Sequence, residues 1–344
     1  MLECSQGIVT FFMKLIHFLV LSLGLTPGWS AAAASSYDEV TGTGTVWAQG
    51  VSVNADGTVV GWYDANKDDP YDGDDDEEVD DLMCYAACAA NLIAWWQSGE
   101  YGKNLTSTAP RKLDAIWERY KESNVVPDMG GDPAAAINWW LSGVYSPASE
   151  SDWKRYYAEK MKEYVPQTHT PFSGYYYDQY GLTSNDLSDL IFDAWIYGEW
   201  SKDGGAEIDF REMFESGAGI SLAIFADTSE LAHAITLWGV EYENGNLTKL
   251  WVTDSDDYWV KEPSLFSATV ETREGKIYIT GTDYDMNETE DGTTWSYYGD
   301  GVYIDSVYAI RAAASANWQL VPEPATATLS LLALAALAVR RRRR

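Results

Sequence analysis

Hydrophobic and polar positions divide the chain into two unlike halves. The densest apolar stretch is residues 80–96, DDLMCYAACAANLIAWW, where alanines, Leu92, Ile93, Trp95 and Trp96 leave no polar face. A helix apolar on every side is buried rather than laid on a surface. Asp80 and Asp81 supply acceptors of the kind that cap a helix start, so the pattern places Cys84 in the first turn. Residues 109–122, 133–141, 150–164 and 184–200 also read as helices, and 166–174 as a Pro- and Thr-containing connection. Before them, 43–52 and 57–63 read as short strands. From Gly217 the pattern changes to strands at 219–226, 233–242, 247–254, 265–270, 276–280 and 301–310. Helices first and antiparallel strands second predict an α+β fold. No repeat and no long linker separates the halves, which predicts one catalytic unit over residues 35–320.

The two ends carry addresses. In residues 13–34, Lys14 precedes an apolar core at 15–25 and small residues at Ala31, Ala32, Ala33 and Ala34, the layout of a secretory signal. Residues 1–34 are therefore expected to leave the chain. At the other end, Val321-Pro322-Glu323-Pro324 precedes an apolar run, 325–339, and five arginines, 340–344. Fifteen residues are short for a bilayer, which takes ~20. A PEP triplet, a short hydrophobic segment and a basic tail in this order resemble the bacterial PEP-CTERM sorting signal, here 321–344. The resemblance implies recognition by an exosortase-type sorting enzyme and transient inner-membrane contact through the hydrophobic segment. It further implies removal of the tail, and a secreted or cell-surface protein of a Gram-negative bacterium.

Processing sharpens the charge. The 344-residue chain has a formal charge of −30. Loss of Lys14, Glu3 and the terminal arginines takes it to about −35, a surface that repels nucleic acid and keeps the protein soluble. The densest acidic run is residues 68–81. Taking Asp64, Asn66 and Asp68 as calcium ligands puts Asp69 where an EF-hand needs Gly, so that pattern fails and a solvated acidic loop is the simpler reading.

Of three cysteines, Cys4 lies in the signal region and Cys84 and Cys88 remain. Exported proteins normally use cysteines in disulfides, but residues four apart on one helix make poor disulfide partners. A retained thiol at a helix start, facing unpaired N–H groups and the positive dipole end, is placed for chemistry. Such a nucleophile needs a histidine and a group to orient it. His169 sits in PQTHTPF with nothing organised around it, whereas His233 begins an apolar strand, AHAITLWGVEY. Asn244-Gly245 is a strong two-residue hairpin signal. With Glu243 paired to Asn246, His233 falls opposite Asp256 and Ile235 opposite Asp254, so both aspartates project on the His233 face. Spacing alone does not rank them, since a one-residue bulge would change which is closer.

Four stretches in order, GWYDANK (61–67), DDLMCYAACAANLIAWW, HAITLWGVEYENGNL (233–247) and WVTDSDD (251–257), resemble the immunoglobulin-degrading streptococcal cysteine endopeptidases, the Mac or IdeS family. The likeness spans about residues 45–310. It implies a papain-like fold, with the buried helix bearing the Cys packed on an antiparallel sheet bearing the His. It also implies roles: Cys84 as nucleophile, His233 as general base and acid, Asp254 as the residue orienting it and Asp256 as a supporting aspartate. Lys67 would then help form the oxyanion hole with the Cys84 backbone N–H. The chain departs from the family in a longer, more acidic 67–84 segment, in Tyr85 where the family has Gly, and in Cys88 where it has Thr.

The expected function is an exported cysteine endopeptidase acting on protein or peptide substrates, with no metal or organic cofactor. Immunoglobulin specificity does not travel with a fold. Two other readings stay open: a non-catalytic surface or matrix-binding protein on the same scaffold, and acyl transfer of the transglutaminase type. All the catalytic positions are filled, which argues against the first.

Overall fold

The computed structural model describes residues 36–67, 80, 82–99, 107–123, 126, 130–143, 145, 174–176, 191–195, 208–226, 232–256, 263–282 and 301–311. The N-terminal leader, the acidic loop 68–79, the 150–164 segment, His169 and the C-terminal tail lie outside these residues. Among the described residues no helix is long and apolar enough to cross a membrane.

Three short strands open the fold: β1 (Gly44–Trp47), β2 (Ser52–Val53) and β3 (Val59–Val60). Three helices follow: α1 (Cys84–Ser98), α2 (Leu113–Lys121) and α3 (Pro133–Ser142). Then come β4 (Ile191–Trp195), α4 (Phe210–Glu215) and six long strands. These are β5 (Ala218–Ala226), β6 (Ala232–Glu243), β7 (Asn246–Thr253), β8 (Phe266–Arg273), β9 (Lys276–Thr282) and β10 (Val302–Arg311). The long strands pair antiparallel in the order β6-β5-β10-β9-β8-β7, and β7 returns to β6, so the sheet closes into a barrel. Closure leaves no free edge among these strands. Of the remaining four strands, two prolong the edges, β1 following β5 along β6 and β4 following β9 along β10, while β2 and β3 pair with each other in a separate sheet.

Alanine-rich sequence explains how α1 lies so close to this sheet. Every residue from Tyr85 to Gln97 is buried. Small Ala86, Ala87, Ala89 and Ala90 let backbones approach, while Leu92, Ile93 and Trp96 supply apolar area worth about 1.5–3 kcal/mol each. Strand β6 is buried continuously from His233 to Val240, with the barrel interior on one face and α1 on the other. That is why its sequence is a run rather than an alternation. Two polar contacts tie α1 to the strands and loops around it: Asn91 Nδ2 donates to Thr236 Oγ1 at 3.1 Å, and Trp95 Nε1 to the Gln49 carbonyl at 2.7 Å. Buried aromatic residues of α2 and α3, including Trp117, Tyr120, Trp139 and Trp140, stack behind α1.

The structure corrects two readings of the sequence and adds one short helix. Helix α1 begins at Cys84, later than Asp80, and its N-cap is Met83, which makes no side-chain capping bond. Asp80 is buried, and its carbonyl accepts from Met83 N in the turn before the helix. Within 184–200, residues 191–195 form a strand rather than a helix. β9 leaves β10 at Ile304, and Ile191–Trp195 takes the vacated edge, pairing from Ile191↔Ile310 to Trp195↔Ser306. A tertiary partner thereby overrides local propensity. The short α4 was not anticipated. Its start is marked by Asp209, which caps Arg211 N and Glu212 N.

Gly219 of β5 tests the packing of helix on sheet, because a Cβ there would stand 2.7 Å from the Trp95 ring and 3.1 Å from Leu92. Trp95 is itself buried and has little room to retreat. Gly219→Ala is expected to cost about 1–3 kcal/mol by overpacking, read as a lower urea midpoint with an unchanged slope.

Candidate functional site

The first turn of α1 leaves its backbone N–H groups without intrahelical acceptors, as every helix start does. Cys84 is the first residue of this turn and is half-buried, and no acidic residue occupies the turn. Cys88 lies one turn further in, fully buried, with hydrogen bonds to Thr236 and Ser221. Burial pushes the Cys88 thiol far up, against the smaller opposing effect of those two bonds. The two sulfurs therefore differ in access. Cys84 meets solvent, and Cys88 is a core thiol.

His233 enters from the β6–β7 hairpin. Asn244 and Gly245 both adopt positive φ, 52° and 79°, as a type I′ turn requires. The turn is tied to the β1 end by Asn244 N to Thr43 Oγ1 at 3.0 Å and Gly245 N to the Gly42 carbonyl at 2.7 Å. The register starts as Glu243↔Asn246 but carries two bulges: Thr248 is an extra residue on β7, and Trp238 an extra residue on β6. They offset each other, and the ladder ends at Thr236↔Thr253 on the plain register.

Beyond Thr253 the chain leaves the strand and turns. Asp256 N donates to Asp254 Oδ1 at 2.9 Å, the local side-chain-to-backbone bond of an Asx turn. This turn decides between the two aspartates. His233 Nε2 lies 2.6 Å from Asp254 Oδ1, whereas His233 Nδ1 lies 3.8 Å from Asp256 Oδ2, beyond hydrogen-bonding distance. No net bulge is needed to bring Asp254 to the imidazole. The strand simply stops one residue before it.

Asp256 instead holds Lys67. Its Oδ1 is 2.6 Å from Lys67 Nζ, and the Lys67 backbone N–H donates to the Ser255 carbonyl at 2.9 Å. All five residues singled out in the sequence thus share one electrostatic neighbourhood. Burial alone would lower the Lys67 pKa, but Asp256, Cys84 and Asp254 together hold it above the ordinary lysine value. The same contest runs at His233. Burial works against its charge, and Asp254, Asp256 and Cys84 overcome it, holding the imidazole well above its usual range. His233, Asp254 and Asp256 present ligand-type atoms within 4.8 Å of one another, the kind of group that could hold a metal ion. A cation there would have to displace the Lys67 ammonium from Asp256 and the imidazole from Asp254.

The arrangement can supply a nucleophilic sulfur, a charged imidazole fixed by a carboxylate, and a buried ammonium. Asp64, in the same GWYDANK stretch as Lys67, is also buried, and its Oδ2 accepts from Ser264 N at 2.9 Å. That bond anchors the stretch to the chain just before β8. Sequence reasoning passed over Asp64 as a structural residue, because its partner is a backbone group 200 residues away.

Known proteins match the chain at two places. The PEP-CTERM protein-sorting motif matches residues 320–344. The chain carries that motif, which is recognised by exosortase and belongs to export and surface sorting in Gram-negative bacteria. Elsewhere the chain is 24% identical over 224 residues to an IgM protease of Streptococcus suis (strain P1/7). The match covers 57% of this chain and only 18% of that protein.

The raised His233 pKa sets a pH expectation with a definite sign. The folded value lies above the unfolded value of about 6.5. The charged pair therefore stabilises the fold fully below that unfolded value, and the contribution is lost as pH rises through the folded value. Asp254→Asn should move the His233 titration to lower pH, as read by imidazole NMR. Iodoacetamide should label Cys84 well before Cys88 in the folded protein, and peptide mapping would show equal labelling if both thiols were open.

Proposed function

We propose that this chain is an exported cysteine endopeptidase of the IdeS or Mac type, built on a papain-like fold. The observation that carries the reading is the His233–Asp254 bond. It fixes a charged imidazole in the same electrostatic neighbourhood as a half-buried thiol at a helix start, on a different element of the fold. In this reading the Cys84 sulfur attacks the substrate carbonyl carbon. The carbonyl oxygen gains negative charge and is received by the Cys84 N–H and the Lys67 ammonium. His233 gives its proton to the leaving amine, which departs and leaves an acyl-enzyme. Water, deprotonated by His233, then attacks the acyl carbon and restores the thiol.

Asp254 keeps the imidazole in one tautomer and position. Asp256 acts one step away by holding Lys67. The distant likeness to a streptococcal protease and the export motif both support a protease acting outside the cytoplasm. The substrate is a protein or peptide. Immunoglobulin is not carried over, because the match reaches only a small part of the relative. The sorting enzyme at the inner membrane removes the tail, and the body is secreted or displayed.

Incubation of the exported chain with a peptide library under reducing conditions, read by mass spectrometry, tests the reading. Cys84→Ala and His233→Ala should abolish cleavage while the fold persists, and Asp254→Ala should lose on the order of 10⁴ in turnover, as when a triad carboxylate is lost. Asp256→Ala should be damaged less, since the imidazole keeps its direct partner. Cleavage surviving Cys84→Ala would remove the thiol mechanism, and a larger loss at Asp256 than at Asp254 would reverse their roles. Secreted protein should yield no peptide from residues 329–339, and an intact C-terminus in the medium would refute processing.

A further inference from the structure

The turn that carries Asp254 is lashed to the stretch that carries Lys67 by two hydrogen bonds, one on either side of the aspartate. On one side the Lys67 N–H donates to the Ser255 carbonyl at 2.9 Å. On the other, Thr253 Oγ1 donates to the Tyr63 carbonyl at 3.1 Å. The Thr253 oxygen in turn accepts from Trp238 Nε1 at 3.0 Å. Trp238 is the extra residue of the β6 bulge, fully buried, with its ring 6.1 Å from that of Tyr63. Thr253, Asp254 and Ser255 are all buried as well.

We propose that Thr253 is a positioning residue of this site: its hydroxyl, aimed by the Trp238 indole, sets the spacing between the Asp254 turn and the Tyr63–Lys67 stretch. One small group thereby joins three elements. The His233 strand contributes Trp238, the Asp254 turn begins at Thr253, and the Lys67 stretch begins at Tyr63. The hydroxyl spends its proton on Tyr63 and a lone pair on Trp238, so both directions are specified. Without it the Tyr63 carbonyl and the indole N–H would each lose a buried partner, and the turn could drift from the imidazole. A valine has the same shape but neither function, and a serine keeps both.

The proposal rests on the peptidase reading for its kinetic consequence but not for its structural one, so two measurements separate them. The first is turnover of one peptide substrate. Thr253→Val should lower kcat about tenfold to a hundredfold, the scale of a 1 Å misplacement, with KM nearly unchanged, and Thr253→Ser should restore kcat. The second is the His233 titration by NMR in the exported chain. The charged groups acting on this imidazole are Asp254 and Asp256 from the turn and Cys84 from α1, while Lys67 from its stretch is paired with Asp256. Loosening the turn weakens the pull of the carboxylates on the imidazole, so His233 should titrate at lower pH in Thr253→Val than in the native protein and close to native in Thr253→Ser.

A Val variant with native titration overturns the proposal, as does a Ser variant as impaired as Val. Should Thr253→Val fail to fold, Trp238→Phe carries the test. It removes the donor that aims the hydroxyl and should shift titration and kcat in the same direction by less, and an unchanged titration there overturns the proposal. If the native chain cleaves nothing, the peptidase reading falls, while the titrations still decide whether Thr253 positions the turn.

Discussion

The site depends on neutralising buried charge. Two carboxylates and an imidazole, each almost excluded from water, occupy one small volume beside α1. A lone charge there would cost several kcal/mol or give up its ionisation. The structure answers with an ordered chain of opposite signs: imidazole on Asp254, ammonium on Asp256, and the backbone N–H of Asp256 turned back onto Asp254. Each member restrains the next. The carboxylates that favour the charged imidazole also fix its position.

Those restraints need a rigid support, and the closed sheet provides one. β6 is held along both edges, by β5 and β1 on one side and β7 on the other, so His233 sits on a strand that cannot shift alone. Helix α1 presses on the same strand through alanines, and the contact of Asn91 with Thr236 fixes its register. Thr236 also pairs directly with Thr253 at the end of the ladder. The helix carrying the thiol and the turn carrying the carboxylate therefore refer to one common rung.

Much of this was readable in the chain because the signals were local or periodic. The Asn244-Gly245 turn, the strand run from His233 and the burial of residues 85–96 follow from dipeptide chemistry and periodicity, and the structure shows each. The hairpin count placed both aspartates near His233, with Asp256 directly opposite, and left their order open. Counting could not settle it because it assumes the strand continues, and nothing in the spacing reveals that an Asx turn ends it at Thr253. The strand at 191–195 was invisible for a different reason: it is made by an edge of β10 that no local residue can announce. The Lys67–Asp256 ion pair, between residues far apart in sequence, was not predicted from spacing. Resemblance alone had drawn attention to the lysine.

The closing strand has a consequence for the life of the chain before it works. β10 is the last described strand in sequence, yet it lies between β5 and β9 and completes the barrel. A polypeptide emerging N-terminus first, from a ribosome or a translocation pore, presents Cys84 long before residues 302–311 arrive. Until then the ring is open and β6, with its histidine, lacks a finished support. Contacts between such distant parts of the chain form late and slowly. Closure of the sheet is thus delayed by topology itself, and a nascent chain exposes Cys84 before the barrel that carries His233 is complete.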